Sequence, residues 1–309
     1  MPEVQIDINE NDILQRSPAL LAKLLRDQTT GHNIFWATHD YESLGRGYGF
    51  REEIKPELIT GEHCQVIMPR VLKSRQQQVD RSKDMAEVFT PSWICNAQNN
   101  LVLDALPKDM DWKDYVRLTC LEITCGEAPY LVSRYDTTTG EAIPIDKRIG
   151  LLDRKLIVVS EHTDTTEEWL GWAATAYQNT YGYEWQGDNL LIARKELLYT
   201  FIEYYQAKFV MVPPLESIND IADIISWNLW QMDGLKGVVP ESCHDVVSKH
   251  KALPELDLFS AEIPQEGKPK VSPCPGCAEE NIYKHNGKYC KIRDWEENKT
   301  IRFIDLIKR

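Results

Sequence analysis

No stretch of the 309-residue chain approaches the ~20 consecutive apolar residues that cross a bilayer, so no membrane-spanning helix is expected. The first residues, Met1-Pro2-Glu3-Val4-Gln5-Ile6-Asp7, have neither the basic start nor the apolar centre of a secretory signal. A cytoplasmic location is therefore the expectation. There is no Gly-X-Y period, no sustained heptad and no internal repeat, which excludes collagen, coiled coil and solenoid. An excess of basic residues is missing too. Lys and Arg number 35 against 48 Asp and Glu, net -13. Such a chain is a poor stand-alone ligand for nucleic acid, whose affinity comes largely from neutralised phosphates. The exception is the end of the chain. From Lys268 onward ten Lys/Arg face six Asp/Glu, net +4, so the remainder carries -17 of the overall -13. That tail suits a phosphate backbone, an acidic partner or simply a solvated surface.

What is present is a globular composition, with 42% hydrophobic and 27% charged residues. At roughly 150 residues per domain the length allows one large domain or two modest ones. A core of that size needs no disulfides, and the eight cysteines are expected to be reduced in a cytosolic chain. Cys64, Cys95, Cys120, Cys125 and Cys243 are scattered, whereas Cys274, Cys277 and Cys290 lie close together.

The chain divides into four parts. Residues 1–80 read as mainly helical, with a stripe of Leu20, Leu21, Leu24 and Leu25. The Gly45-Arg46-Gly47-Tyr48-Gly49 cluster lacks the Gly-Lys-Ser/Thr ending of a phosphate loop and reads as an ordinary loop. Residues 73–83 read as an exposed, Gln-rich helix or connector. Residues 81–240 alternate strand-like and helical patterns, which argues for a mostly parallel sheet with helices on both faces. Strands are expected at 116–123, 155–160, 180–185 and 225–232. Helices are expected at 165–179, opened by a capping box of Thr165 and Glu168, and from Asp188 as cap through Tyr205. Residues 241–273 read as a linker. Residues 274–309 read as a small β-type unit.

Three acids carry the chemistry. Glu122 ends a strand before Ile123-Thr124-Cys125-Gly126-Glu127-Ala128, the strand–glycine turn–helix order that opens a ligand site at the carboxyl ends of a parallel sheet. Glu184 closes Tyr181-Gly182-Tyr183-Glu184, where two carboxylate oxygens can grip two ribose hydroxyls. Asp233 follows Asn228-Leu229-Trp230-Gln231-Met232, and can accept a hydrogen bond from a purine amine.

This order resembles the class I S-adenosylmethionine (SAM)-dependent methyltransferases, above all the amino-methylating DNA methyltransferases of restriction-modification systems. Met85-Ala86-Glu87-Val88-Phe89-Thr90-Pro91-Ser92-Trp93 is similar to the family's Gly-Glu-Val/Phe-Phe-Thr-Pro element. Residues 121–131 look like its Asp/Glu-Pro-x-Cys-Gly-x-Gly loop. Tyr181 with Ala193-Arg194-Lys195-Glu196-Leu197-Leu198 looks like its Tyr-Gly-x-Glu … Ala-Arg-x-Asn-Leu-Leu segment. The resemblance covers about residues 80–240. It implies a Rossmann-like α/β sheet and a SAM site formed by Phe89, Thr90, Pro91, Glu122, Cys125, Gly126, Glu184 and Asp233. The chain departs from the pattern at Ile123, where Pro is usual, and at Ala128, where a second Gly is usual. Gly126 and Glu184 are 58 positions apart, a long crossover that points to an inserted lobe at about 136–164.

One family element is missing. Amino-methyltransferases of this kind act through Asp/Asn/Ser-Pro-Pro-aromatic, whose polar groups hold the target amine and whose ring stacks on the flipped base. The Pro213-Pro214 pair is flanked by Val212 and Leu215 and precedes Asp233, so it does not match. Pro273-Cys274 is a Pro-Cys dipeptide of the cytosine-C5 type, but Cys274 belongs to Cys274-Pro275-Gly276-Cys277. The expectation is a SAM-binding subunit of a split adenine-N6 DNA methyltransferase. A second polypeptide would bring the catalytic tetrapeptide and the target-recognition domain, and DNA would bind through the complex. The alternatives are a degenerate methyltransferase fold acting as a non-catalytic SAM-binding or interaction protein, and a nucleic-acid adaptor built on the C-terminal unit. In that unit the Cys-x-x-Cys turn resembles a zinc ribbon. Cys274, Cys277 and Cys290 are expected ligands of a structural zinc, with the fourth from Cys243, His285 or His244, Cys243 being preferred.

Overall fold

The structure, a computed structural model, describes residues 6–84, 87–248 and 270–307. Its centre is set by one helix, Gly187–Phe209. Residues 187–198 of that helix are buried on every side, although Asp188, Asn189, Arg194, Lys195 and Glu196 are among them. A buried charge survives only when it is paired, and each charged side chain here has its partner on another element. Arg194 donates to the carbonyls of Leu24 (2.6 Å), Arg26 (2.9 Å), Ser226 (3.3 Å) and Leu229 (2.5 Å). Lys195 pairs with Glu10 (2.5 Å) and Glu196 with Arg134 (3.0 Å). Those bonds draw the N-terminal helices and the crossover segment onto one axis.

In chain order the helices are α1 (Glu10–Arg16), α2 (Pro18–Leu25), α3 (Arg75–Asp84), α4 (Ser92–Asp104), α5 (Trp112–Arg117), α6 (Leu151–His162), α7 (Thr166–Gln178), α8 (the central Gly187–Phe209), α9 (Leu215–Asn228), α10 (Pro275–Ala278) and α11 (Ile304–Ile307). The strands are β1 (Cys120–Glu122), β2 (Thr180–Glu184), β3 (Leu229–Gln231), β4 (Val246–Ser248), β5 (Lys270–Ser272), β6 (Lys291–Asp294) and β7 (Lys299–Arg302). β1, β2 and β3 form a parallel sheet in that order, with Glu122 opposite Gly182 and Glu184 opposite Gln231. The chain is thus a mixed α/β protein. β4–β5 and β6–β7 are antiparallel pairs.

Several elements differ from the sequence reading. Residues 116–123 split into the end of α5 and the short β1. The apolar run at 155–160 lies inside α6, where Leu152, Leu156 and Val159 make a buried stripe at helical spacing. α6 is therefore part of the β1–β2 crossover itself, and only the stretch before it is an excursion. α9 runs on to Asn228, so β3 starts later than expected. Gln186 is the N-cap of α8, and Asp188 is the second residue of its first turn. α7 keeps its expected cap, Thr165 Oγ1 accepting the Glu168 N–H at 3.2 Å.

The C-terminal unit is packed on the sheet. Tyr183 and Trp230 point to one face, where Phe303, Ile292 and Val239 cover them. The Trp230 and Phe303 rings lie 5.2 Å apart. That face is thus closed by an antiparallel hairpin where helices were expected. The strands β4 and β5 fall in the stretch read as a linker; its residues 249–269 lie outside the described residues. No helix among the described residues is long and apolar enough to cross a membrane.

Candidate functional site

After Glu122 the backbone reverses sharply. Thr124, Gly126 and Ala128 all take positive φ, at 47°, 53° and 61°. Gly adopts this region freely, whereas Thr and Ala pay for it, by about 1 kcal/mol each. The surrounding bonds hold the turn. Cys125 N–H donates to the Tyr183 carbonyl (2.8 Å) and Ala128 N–H to the Cys125 carbonyl (2.7 Å). Gly126 N–H donates to Glu184 Oε2 at 2.8 Å, joining the two motifs across 58 residues. Gly182 is what lets the loop sit so close to β2: a Cβ there would stand 3.3 Å from Cys125 Sγ.

Glu184 also accepts the Gln186 N–H, at 3.1 Å through Oε1. Burial raises its pKa, against these backbone donors, and the Asp188 charge adds to the rise. Glu122 is pushed well above the usual carboxylate range by burial, with the N–H groups of Tyr130 and Leu131 opposing and Glu184 reinforcing it. Its Oε1 takes the Tyr130 N–H at 3.4 Å. Its Oε2 is buried with no hydrogen-bond partner. The Cys125 thiol rises well above its ordinary value through burial and the two acids, so it is held neutral and is no nucleophile.

Phe89 and Thr90 form the facing wall. The Phe89 ring faces Gly126, where a Cβ would stand 3.7 Å from it, and the Arg70 guanidinium lies 5.1 Å from its centroid. Pro91 caps α4, its carbonyl accepting the N–H groups of Ile94 (2.9 Å) and Cys95 (3.1 Å). Ser92 is anchored by N–H (2.7 Å) and hydroxyl (2.5 Å) donation to Asp136 Oδ2. Met85 and Ala86, the start of this element, lie outside the described residues.

A buried ionic knot that sequence reasoning missed fixes this wall to α8. Arg81 bonds Glu87 (2.6 Å), Asp40 (2.6 Å) and Asp188 (2.9 Å). Asp188 further accepts the Tyr41 hydroxyl (2.7 Å), and Asn189 donates to Glu87 (3.0 Å). Although burial alone would raise it, Arg81 and Lys73 hold Asp188 well below the usual carboxylate range. Partners this far apart in the chain leave no local signal.

These walls enclose a cavity of about 810 Å³ at the carboxyl ends of β1 and β2. Phe89, Thr90, Glu122, Cys125, Gly126 and Glu184 line it, together with Glu87, Tyr130 and Trp185. Pro91 sits just behind the lining as the cap of α4. Asp233 is the correction. It does not line the cavity, because its carboxylate is used by its own turn, accepting the N–H groups of Leu235 (3.1 Å) and Lys236 (3.2 Å) and pairing with Lys236 Nζ (3.2 Å). A second cavity of about 540 Å³ lies away from these acids, between β1 and the C-terminal hairpin.

The expected zinc ligands need a second correction. Cys243, Cys274 and Cys277 do come together, and His285 joins them. Cys290 is elsewhere: it is buried beside β3, its thiol donating to the Gln231 carbonyl at 3.4 Å. Packing against Trp230 and Ile292 accounts for it. His244 is not part of the group; its backbone pairs with the Asn286 side chain.

No known protein family, curated protein or solved structure matches this chain.

Proposed function

We propose that the chain binds SAM in the cavity at the ends of β1 and β2, on a Rossmann-like half-sheet, as the cofactor-holding subunit of an amino-methylating DNA methyltransferase. The observation that carries this reading is the meeting of Glu122, Glu184 and the Cys125–Gly126 backbone in one cavity, sealed by the Gly126–Glu184 bond. The residues suit a SAM molecule. Its sulfonium and ammonium are cationic, and the cavity offers Glu122 with an unpartnered buried oxygen. Ribose hydroxyls can use the remaining lone pairs of Glu184, since a carboxylate has about four acceptor sites. Phe89 and Trp185 supply flat surfaces for a purine. A volume of about 810 Å³ falls in the range of small-molecule sites. With Asp233 turned away, β3 offers no carboxylate to the purine amine, so selectivity for the base rests on shape and stacking.

Bound SAM would supply an activated methyl group for direct transfer to a nucleophilic amine. The chain's own contribution is to hold and desolvate the donor. The Pro213-Pro214 pair lies at the start of α9, outside the cavity lining, and is not placed to hold the acceptor. Among the described residues no strand pairs with the outer edge of β1, where Leu121 and Ile123 are exposed. Such an edge can accept a strand from another chain, which supports a partner polypeptide carrying the catalytic tetrapeptide and the DNA-reading domain. Calorimetry with SAM tests the binding. Incubating radiolabelled SAM with DNA tests the division of labour: methyl transfer should require the partner polypeptide, and transfer by this chain alone contradicts the split.

A further inference from the structure

We propose that Cys243, Cys274, Cys277 and His285 hold one zinc ion, and that this ion pins the segment after β3 to the C-terminal unit that covers the sheet. The geometry is that of an assembled site. The four donor atoms lie within 4.8 Å of one another. His285 Nδ1 stands 3.5 Å from Cys243 Sγ, 3.7 Å from Cys274 Sγ and 3.6 Å from Cys277 Sγ. A tetrahedral ion with Zn–S near 2.3 Å and Zn–N near 2.0–2.1 Å has S···N edges of about 3.5–3.6 Å. All three sulfur–nitrogen edges match it. A hydrogen-bonded thiol–imidazole pair would explain one such edge; three converging on one nitrogen describe a shared centre.

The surroundings are shaped for the same purpose. Asn286 N–H donates to Cys274 Sγ at 3.2 Å, the bond a thiolate ligand attracts. The His285 backbone is held in place by its main-chain N–H, which donates to the Tyr289 hydroxyl (2.9 Å), itself donating to the Ile282 carbonyl (2.8 Å). Two glycines clear the site. A Cβ on Gly276 would meet His285 Nδ1 at 2.6 Å, and one on Gly287 would meet Cys243 Sγ at 3.0 Å.

Three sulfurs and one nitrogen select zinc over the hard cations. Donors this close leave room for one ion, not for an iron–sulfur cluster whose thiolates bind separate irons. Four protein ligands fill a tetrahedron, so no position is left for water or substrate and the role is structural. The ion would join Cys243, which follows the Asp233–Val238 bridge, to the α10 turn and the loop before β6. Val238 bridges Tyr289 as well, and Val239 N–H donates to the Lys288 carbonyl at 2.8 Å. The staple therefore sits where the cover of Tyr183 and Trp230 meets the sheet. None of its residues lines the cofactor cavity, so the proposal stands apart from the SAM reading.

The test is elemental analysis of the freshly purified full chain, with zinc in the medium. One zinc per chain is expected. Cys243→Ser, Cys277→Ser and His285→Gln should each retain no more than roughly a tenth of it, while Cys290→Ser and His244→Ala keep it all. Because a ligand variant can fail to fold, the wild-type chain is also stripped with a chelator and refilled with cobalt(II). A tetrahedral cobalt spectrum with thiolate charge-transfer bands supports the site. Hydrogen exchange should rise on stripping in residues 270–307 and stay unchanged at the Gly126 loop. Absence of metal, a disulfide between Cys274 and Cys277 in the fresh protein, or metal lost on Cys290→Ser and kept on His285→Gln would overturn it.

Discussion

Glu184→Gln separates the two roles of the acid at the end of β2. The carboxylate now takes two backbone N–H groups, Gly126 at 2.8 Å and Gln186 at 3.1 Å. An amide has one oxygen. It can serve one of those donors and must turn its NH₂ toward the other, leaving a buried N–H without an acceptor. That costs about 1–3 kcal/mol. The loss is partly offset, because burial already disfavours the charged form of Glu184 and the neutral amide escapes that penalty. The net destabilisation should therefore stay below ~2 kcal/mol, a fall in Tm of no more than about 3 °C for a chain of this length. Binding should suffer more. A hydrogen bond to a charged group contributes about 1.5–3 kcal/mol, so SAM affinity should drop by roughly 10- to 100-fold. Calorimetry measures that drop and thermal unfolding of the ligand-free protein gives the stability term. A variant that binds SAM like the wild type would remove Glu184 from the site. A wild type that does not bind SAM would refute the cofactor assignment itself.

Other expectations follow from the same geometry. Asp233→Asn should leave the SAM dissociation constant within about twofold and cost about 0.5–1.5 kcal/mol in urea unfolding, through the weakened turn; a large loss of affinity would return Asp233 to the cavity. Arg81→Met removes the main cation from buried Asp188 and Glu87, leaving Asp188 with Lys73 and Tyr41 and Glu87 with Asn189, and should cost about 3 kcal/mol, a loss under about 1 kcal/mol being incompatible with the knot as described. Burial opposes it, but hydrogen bonds from Ser92 and Thr138 hold Asp136 well below the usual carboxylate range. Its stabilisation is therefore complete above the unfolded value of about 3.8 and lost as pH falls below it, and Asp136→Asn should flatten that acid limb of the stability curve. Glu122 has the opposite sign. Its raised pKa keeps a proton that a cationic ligand expels, so SAM should bind more tightly as pH rises, with proton release visible as a buffer-dependent enthalpy in calorimetry. A pH-independent affinity with no proton exchange would count against Glu122 as the cation's partner.

What could be read from the sequence was local. The cap of α7, the strand 180–184 and the glycine turn at 126 each follow from a few adjacent residues whose chemistry admits one conformation, whereas the stretch read as an exposed helix or connector became α3 with Arg81 buried. That the Gly126 loop and Glu184 share one pocket was expected from the resemblance, but the hydrogen bond that joins them was not. Short apolar runs were the weak point. Leu156-Ile157-Val158-Val159 reads as a strand in isolation, and only the wider spacing 152, 156, 159 shows the helix. Cys290 was misassigned because spacing cannot distinguish a packed thiol from a ligand. His285 was among the expected candidates for the fourth ligand, but nothing local ranked it above Cys243 or His244. The charges of α8 were beyond any such reading: Asp188, Lys195 and Glu196 look like a solvated face until their partners arrive from 60 to 190 positions away.

Those same charges explain why the cavity exists at all. β1 and β3 are three residues long, too short for ladder bonds alone to fix where their ends point. The opposite wall is a segment around Phe89 with few regular bonds of its own. Two clamps determine the gap between them. One is Glu184, which ties the Gly126 loop to β2. The other is Arg81, which ties the approach to Phe89 onto the first turn of α8 through Asp188 and Glu87. Both clamps end on the same short stretch, because Glu184 and Asp188 are only four positions apart and the Asp188 charge adds to the raised pKa of Glu184. Weakening either one should therefore widen the cavity from the same hinge. Neutralising Glu184 and removing Arg81 together should consequently cost SAM affinity by a factor different from the product of the single losses, since residues sharing one network do not act independently. If the two losses simply multiply, the walls are set separately and the common hinge is wrong.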